Sequence, residues 1–437
     1  MEPFHRMTFQ ETIDYLYRLL PVFHREGKKA FKADLMNTLR LCEYLGNPQT
    51  KFKSIHVAGT NGKGSTSHMM AAILQTAGYK TGLYTSPHLK SYTERFRING
   101  LAIPEQRIVS FVEQHQVFIE ELKPSFFELS VALAFEYFAE NKVDIAVIEV
   151  GLGGRLDSTN VIMPELSMIT NIGWDHMDIL GNSLESIASE KAGIFKQKIP
   201  VVVSEKQEDT ISSVFVERAN ELNSPIFFAT DSLSVKEVST NFNEMIVDVF
   251  DGNTLIYRGV TMQLSGKYQL KNILGVLKSI HVLNSIGYKI TESDIRYGLA
   301  NTISLTGLKG RWQILKNSPL TICDTAHNID GLREVLGALV SLAKKNYYFI
   351  LGFVKDKDIL PILTLFPKDA FYYFCEANSP RALPAEELNA VAKTIGLEGK
   401  AIANVNDAIQ IVTKQVGEED IVFVGGSNFI VAEIDNL

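Results

Sequence analysis

Short apolar runs rich in β-branched residues alternate along this chain with longer stretches whose apolar positions recur at helical spacing. The runs "SIHVAG", "KTGLYTS", "DIAVIEVG", "LSMITNI" and "IPVVVS" predict strands, and the intervening "STSHMMAAILQTAG" and "FFELSVALAFEYFAEN" predict helices. That alternation argues for an α/β protein with a mostly parallel sheet, because parallel strands need a crossover and a helix is the usual one. Residues 225–260 differ: period-two alternation around a "DGN" turn predicts a small antiparallel excursion. "YQLKNILGVLKSIHVLNSIGY" returns to helical spacing, with Gly287 as its stop. "NTISLTGLKGR" is polar and glycine-containing and reads as a linker. Strand–helix alternation then restarts in "LTICDTAHNIDGLREVLGALVSL", "YYFILGF", "AFYYFCEA" and "EDIVFVGGSNFIV". The expected organisation is a domain over 1–304 and a second α/β domain over 305–437.

Length supports more than one domain, since 437 residues exceed a single core of ordinary size. A net charge of −7 without a basic stripe gives no footprint for a nucleic-acid partner. Cys42, Cys323 and Cys375 are scattered, which suits neither a disulfide framework nor a zinc site. "MEPFHRMTFQETIDYL" carries acidic residues and no apolar signal core, and no apolar run reaches the roughly 18–20 residues of a membrane span. The expectation is a cytoplasmic protein with small-molecule partners.

The chemistry begins at "HVAGTNGKGST", where a strand ends in glycines and a lysine and then opens a helix. Glycines let backbone N–H groups converge on phosphate oxygens, and the helix adds its N-terminal partial charge. Gly59, Thr60, Asn61, Gly62, Lys63, Gly64 and Ser65 form the predicted cradle, with Lys63 for the β/γ-phosphates and Ser65 or Thr66 as a hydroxyl for magnesium. The order of strand, loop and helix predicts a P-loop-type ATPase domain, although the glycine spacing is shorter than G-x-x-x-x-G-K-[ST] and Gly64 is extra. A dinucleotide fold is the weaker rival, because no acidic residue stands about 20 positions on. Ser86, Glu149 and His176 each follow an apolar run, so a parallel sheet brings them to its carboxyl edge as plausible magnesium ligands. His176 also reads as a loop histidine paired with Asp175 or Asp178. Taken alone, Lys191 reads as a solvated lysine at a helix start, Asp324 as a strand end before an N-cap, Phe127 as core and Asp157 as a turn or capping residue.

"AGTNGKGS" resembles the loop of the Mur ligase superfamily, and the folylpolyglutamate synthase/dihydrofolate synthase branch is the nearest pattern. Further landmarks follow in order: "TSPHL", "SFFE", "IEVGLGGRLDSTN", "NIGWDHMDILG", "EKAGIFK", "GKYQLKN", "GR", "DTAHN" and "GFVKDKD". The resemblance implies an N-terminal ATPase domain and a C-terminal Rossmann-like domain that closes over ATP. It implies a ligase that activates a carboxylate of dihydropteroate or a reduced folate as an acyl phosphate and couples it to L-glutamate. Ser86, Glu149 and His176 match the family's magnesium ligands, and Lys191 matches a carbamylated lysine serving a second Mg²⁺. Lys63, Glu149, His176 and Lys191 are then the catalytic set, and a monovalent cation is a further cofactor the family allows. Asn272, Arg311, Asp324 and His327 match nucleotide contacts, while Phe127, Asp157 and Ser158 match the pterin pocket, with "AFKADL" at its border. A monomer is the family's usual state. Two departures stand out: Thr325 and Ile329 within a motif that is often "DGAHNP", and Tyr268 where histidine is common. A Mur-type ligase acting on a UDP-linked cell-wall precursor, and a nucleotide-gated scaffold without activity, are the other readings.

Overall fold

The computed structural model describes residues 7–27, 34–435 and 437. Residues 30–33 of "AFKADL", expected beside the acceptor pocket, lie outside the described residues.

Two compact units are formed. The first takes in the described residues through Ile172, with His176–Ser232 and Leu274–Gly298. Its strands are β1 (Lys53–Ala58), β2 (Thr81–Tyr84), β3 (Phe96–Ile98), β4 (Leu101–Ala102), β5 (Ile145–Glu149), β6 (Leu166–Ile169), β7 (Val201–Val203) and β8 (Ile226–Phe228). Among the described residues they build one eight-stranded sheet in the order β4-β3-β2-β5-β1-β6-β7-β8. Pairing is parallel from β2 through β8, and antiparallel between β2 and β3 and in the edge hairpin β3–β4. Ser54 through Ala58 are all buried, as expected of a central parallel strand covered on both faces. Val57 lies opposite Glu149 and Ala58 opposite Ile169 in the register, so the ends of β5 and β6 flank the end of β1.

Local capping explains two helices that matter for the site. The helix Lys63–Thr76 starts directly from the glycine loop, with Gly62 at its N-cap. The helix Phe126–Glu140 opens with a capping box: the Ser125 hydroxyl accepts from Glu128 N at 3.2 Å, and the Glu128 carboxylate accepts from Ser125 N. Its mostly buried residues join a cluster with Tyr84, Tyr92, Phe96, Phe111 and Ile148. The helix is thus apolar nearly all round, because it lies inside the core and has no wide solvent face.

The second unit comprises Gly173–Asp175, Leu233–Ile273 and Leu299–Leu437. Strands β9 (Leu233–Thr240), β10 (Met245–Asp251) and β11 (Thr254–Met262) form the antiparallel sheet expected from the period-two stretch. The run at 226–228, included in that stretch, instead extends the parallel sheet as β8, pairing with Val201–Val203. The remaining strands are β12 (Gln313–Asn317), β13 (Leu320–Asp324), β14 (Tyr347–Leu351), β15 (Phe371–Phe374), β16 (Gly399–Ala401) and β17 (Ile421–Gly425). They form a sheet in the order β12-β13-β17-β14-β15-β16, parallel except for the hairpin β12–β13.

The expected linker is not wholly irregular. A short helix, Thr302–Thr306, spans the 304/305 position and ends at Gly307 with φ of 66°. Thr302 and Thr306 are buried and turn their hydroxyls back onto the carbonyls of Leu299 and Thr302, which lets polar residues occupy a packed turn. Among the described residues no helix is long and apolar enough to cross a membrane.

Candidate active site

The predicted phosphate cradle is held from behind by the end of β6. Thr60 N donates to Asn171 O at 2.9 Å, Asn61 N donates to Asn171 Oδ1 at 2.9 Å, and Thr170 Oγ1 donates to Asn61 O at 2.6 Å. Gly59 has φ of 146°, and a Cβ there would lie 1.8 Å from Thr170 Oγ1, so only glycine fits. Lys63 Nζ donates to the carbonyls of Gly59 at 3.0 Å and Thr60 at 3.1 Å. Lys191 is buried, not solvated, and donates to the same Gly59 carbonyl at 2.9 Å. Gly64 and Ser65 lie buried in the first turn of the helix.

Ser86 and Glu149 are also brought together: Ser86 N donates to Glu149 Oε2 at 3.2 Å, and Glu149 is buried at the end of β5. His176 stands in the loop after β6 with φ of 50°, as the N-cap residue of the short helix Met177–Leu180. Asp175, one partner considered for His176, lies in the second unit, where its carboxylate meets Lys357 Nζ, Asn328 Nδ2 at 3.3 Å and His327 Nε2 at 3.6 Å. Among the described residues no three His, Cys, Asp or Glu side chains gather into a cage. The predicted set of one carboxylate, one hydroxyl and one imidazole suits a Mg²⁺ that keeps its other positions for water and phosphate oxygens.

The aromatic landmark divides its two rings. Phe126 is buried, with its centroid 4.8 Å from Tyr92 and 5.1 Å from Tyr17. Phe127 is half-buried and lies over the loop that follows β5, where a Cβ on Gly151 would fall 2.4 Å from its ring. That loop is braced by Asp157. Its Oδ2 accepts from Leu152 N at 2.8 Å, and its Oδ1 accepts from Thr159 N at 3.0 Å and from the Thr159 hydroxyl, capping the turn Ser158–Val161. Burial pushes the Asp157 carboxyl above its usual value, and those hydrogen bonds oppose the rise. Asn160 Nδ2 holds the far end by donating to Arg155 O and Gly193 O, both at 3.0 Å. Ser158 is buried in the same turn.

In the second unit, Asp324 ends β13 as expected and collects donors. Trp312 N reaches Oδ2 at 2.7 Å, Tyr268 Oη reaches Oδ2 at 2.6 Å, and Ala326 N reaches Oδ1 at 2.8 Å. Burial raises its pKa, against the pull of the Arg311 charge and these donors. Tyr268 is pushed well above the usual phenol value, first by burial and then by the Asp324 charge, so it stays a donor. Thr325 N and Oγ1 donate to Gly310 O at 3.0 and 3.1 Å, and Arg311 Nη1 joins them at 3.2 Å. His327 Nδ1 donates to Thr325 O at 3.0 Å, and Asn328 is the N-cap of the helix Ile329–Ser341. Asn272 is buried and donates to Gln269 Oε1 at 2.8 Å.

Several contributors escape a reading of the residues. Thr170 and Asn171 lock the cradle through a neighbouring strand, which no local motif signals. Thr159 looks like an ordinary turn residue, and His56 like one more position of an apolar run. Tyr268 is visible only as a departure, without the partner that explains it.

Residues 57–280 match the Mur ligase middle domain, and residues 310–428 match the Mur ligase glutamate ligase domain. The dihydrofolate synthase/folylpolyglutamate synthase of Bacillus subtilis is 31% identical over 427 residues, covering 94% of this chain and 96% of that protein. The structure of Escherichia coli FolC in complex with DHPP and ADP is similar with a TM-score of 0.85 at 29% identity, covering 98% of this chain and 96% of that one. That of the bifunctional folylpolyglutamate synthase/dihydrofolate synthase from Yersinia pestis, complexed with AMPPNP and a Mn ion, has a TM-score of 0.83 at 27% identity, over 99% and 98% of the two chains. With both domains matched in order and the relatives covered almost end to end, the chain belongs to the Mur ligase family, in its folylpolyglutamate synthase/dihydrofolate synthase branch.

Proposed function

We propose that the chain is an ATP-dependent ligase that forms an amide between L-glutamate and dihydropteroate, or the glutamate tail of a reduced folate. The observation that carries this reading is the pairing, within one unit, of a lysine-bearing phosphate cradle and a half-buried ring, Phe127, laid over a glycine-rich loop. The first is built for a polyphosphate and the second for a flat heterocycle. The relatives' names point to folate chemistry, so a UDP-linked cell-wall precursor is not favoured as the substrate.

In the first step a carboxylate oxygen of the acceptor attacks the γ-phosphorus of ATP. The bond to the β–γ bridging oxygen breaks and ADP leaves. The amine of glutamate then attacks the acyl carbon and loses a proton, and the bond to the phosphate oxygen breaks to release inorganic phosphate. Lys63 stabilises charge on the transferring phosphoryl group, and the backbone N–H groups of the cradle and the start of its helix hold the neighbouring phosphates. Ser86, Glu149 and His176 would hold a Mg²⁺, with Lys191 as a carbamate serving a second. Bound there, the metal neutralises phosphate charge. We assign further nucleotide contacts to Asn272, Arg311, Asp324 and His327, and acceptor contacts to Phe127, Asp157 and Ser158. Asp157 acts in part by shaping its loop, since both its oxygens already accept backbone N–H groups. We place the enzyme in the cytoplasm as a monomer with small-molecule partners; its buried, unpaired Cys42, Cys323 and Cys375 suit a reducing compartment.

Incubation with ATP, labelled glutamate and each candidate acceptor, with products identified by mass, tests the reading. ADP release coupled to one added glutamyl group on dihydropteroate or a folate is expected. Turnover with a UDP-muramoyl peptide alone, or no ADP release with any acceptor, overturns it.

A further inference from the structure

His56 stands in the middle of β1, fully buried, three positions before the phosphate cradle, and no step above uses it. Its Nε2 lies 2.8 Å from Thr159 Oγ1, which in turn reaches Asp157 Oδ1. The direction of these bonds follows from counting protons. Asp157 Oδ1 accepts the Thr159 N–H and Oδ2 accepts the Leu152 N–H, so both oxygens act as acceptors. With Asp157 as the carboxylate its Oδ1 has no proton to give, so the contact with Thr159 Oγ1 takes the single hydroxyl proton of Thr159. What Thr159 then offers to the imidazole is a lone pair, so His56 Nε2 carries the proton and donates. This leaves Nδ1 with a lone pair and no hydrogen-bond partner in a buried position.

An apolar side chain of similar size would fill the same space without an orphaned nitrogen. The imidazole is explained by what its other nitrogen does. We infer that His56 is a positioning residue for the acceptor loop, acting through a one-way relay from His56 Nε2 through the Thr159 hydroxyl to Asp157. The relay fixes the rotamer of Asp157, whose other oxygen holds Leu152 N, next to the Gly151 backbone on which Phe127 lies. Because the imidazole sits on the strand that ends in the cradle, the acceptor loop takes its position from the strand that leads into the Lys63 loop. This rests on the assignment of Phe127 and Asp157 to the acceptor.

Two readouts test it. Long-range nitrogen–proton NMR on histidine-labelled protein reports the tautomer directly, with His56→Gln identifying the signal. A proton on Nε2 is expected; one on Nδ1 overturns the relay whether or not the chain is active. In steady-state assays, His56→Leu and Thr159→Val should each raise the KM for the pteroate acceptor by about ten- to hundredfold while the KM for ATP holds. The double variant should be no worse than either single one. His56→Gln, whose amide nitrogen reaches the place of Nε2, should recover most of the loss. Equal rises in both KM values, unchanged acceptor KM, or no rescue by glutamine overturns the inference. Thr159→Val keeps the side-chain volume, so it serves if His56→Leu does not fold. A wild-type chain inert towards every pteroate and folate would instead sink the functional reading and leave the tautomer to decide the relay.

Discussion

Tyr268 donates its phenolic hydrogen to Asp324 Oδ2 at 2.6 Å, on the same oxygen that receives Trp312 N. The pair gives the departure at position 268 a physical role: a neutral hydroxyl supplies the bond, and burial together with the aspartate charge keeps it protonated. Tyr268→Phe leaves Asp324 with backbone donors alone. A hydrogen bond to a charged group contributes about 1.5–3 kcal/mol, so this variant should lose stability of that order and show a raised KM for ATP. Thermal unfolding and ATP-dependence of the rate check both; an ATP KM equal to wild type would separate Tyr268 from the nucleotide.

Lys63→Ala should bind the acceptor normally yet lose at least about a hundredfold in kcat, the scale seen when one preorganised charge-stabilising donor is removed. ADP release under saturating ATP measures it, and near-normal turnover would exclude the phosphate role.

Lys191 is buried with its nitrogen on the Gly59 carbonyl, the one that Lys63 also reaches. Intact-mass spectra of active enzyme should show a carbamate there that is lost with activity on CO₂ removal. Lys191→Arg, which keeps the charge but cannot form the carbamate, should be inactive while folded. A fully active Lys191→Arg enzyme would return the residue to a structural role.

Gly151→Ala places a methyl group 2.4 Å from the Phe127 ring, which must then move. The expected outcome is a higher KM for the pteroate acceptor with the KM for ATP unmoved. An unchanged acceptor KM would take Phe127 out of the pocket.

Burial, and secondarily the positive charge of Lys196, lowers the His56 pKa from 6.5 to about 3. Below pH 6.5 the unfolded chain takes up a proton that the folded chain refuses until about pH 3. The stability tied to this site is therefore complete above the unfolded value and falls on acidification, by about 1.4 kcal/mol per pH unit inside the window. The acid limb of the stability curve should be shallower in His56→Gln; an identical limb would mean that His56 is already charged in the folded state.

What could be read from the residues was what local pattern controls. Alternating strands and helices, the glycine–lysine loop and the antiparallel sheet at 233–262 each leave a periodic or turn signature within a dozen residues. Apolar runs marked Glu149 and Asp324 at strand ends and Ser86 just past one, where the structure has them. The failures are non-local. Ile226–Phe228 is too short to declare whether it pairs parallel or antiparallel, and its partner at 201–203 decides. Thr302–Thr306 looks irregular because its polar hydroxyls satisfy helical carbonyls internally. The proton direction at His56 depends on Thr159, 103 positions away, and on backbone donors that no side-chain pattern encodes.

The carbonyl of Gly59 receives two ammonium groups, at 3.0 and 2.9 Å, so their nitrogens stand no more than about 6 Å apart. Before Lys191 is carbamylated, like charges at that separation repel by about 3 kcal/mol at an effective dielectric of 20. The turn is thereby tensioned towards any counter-charge, and simple oxyanions from a buffer compete with the nucleotide for it. Sulfate or phosphate should compete with the nucleotide most strongly at the uncarbamylated protein, and the ionic recipe of an assay will set the affinity it reports.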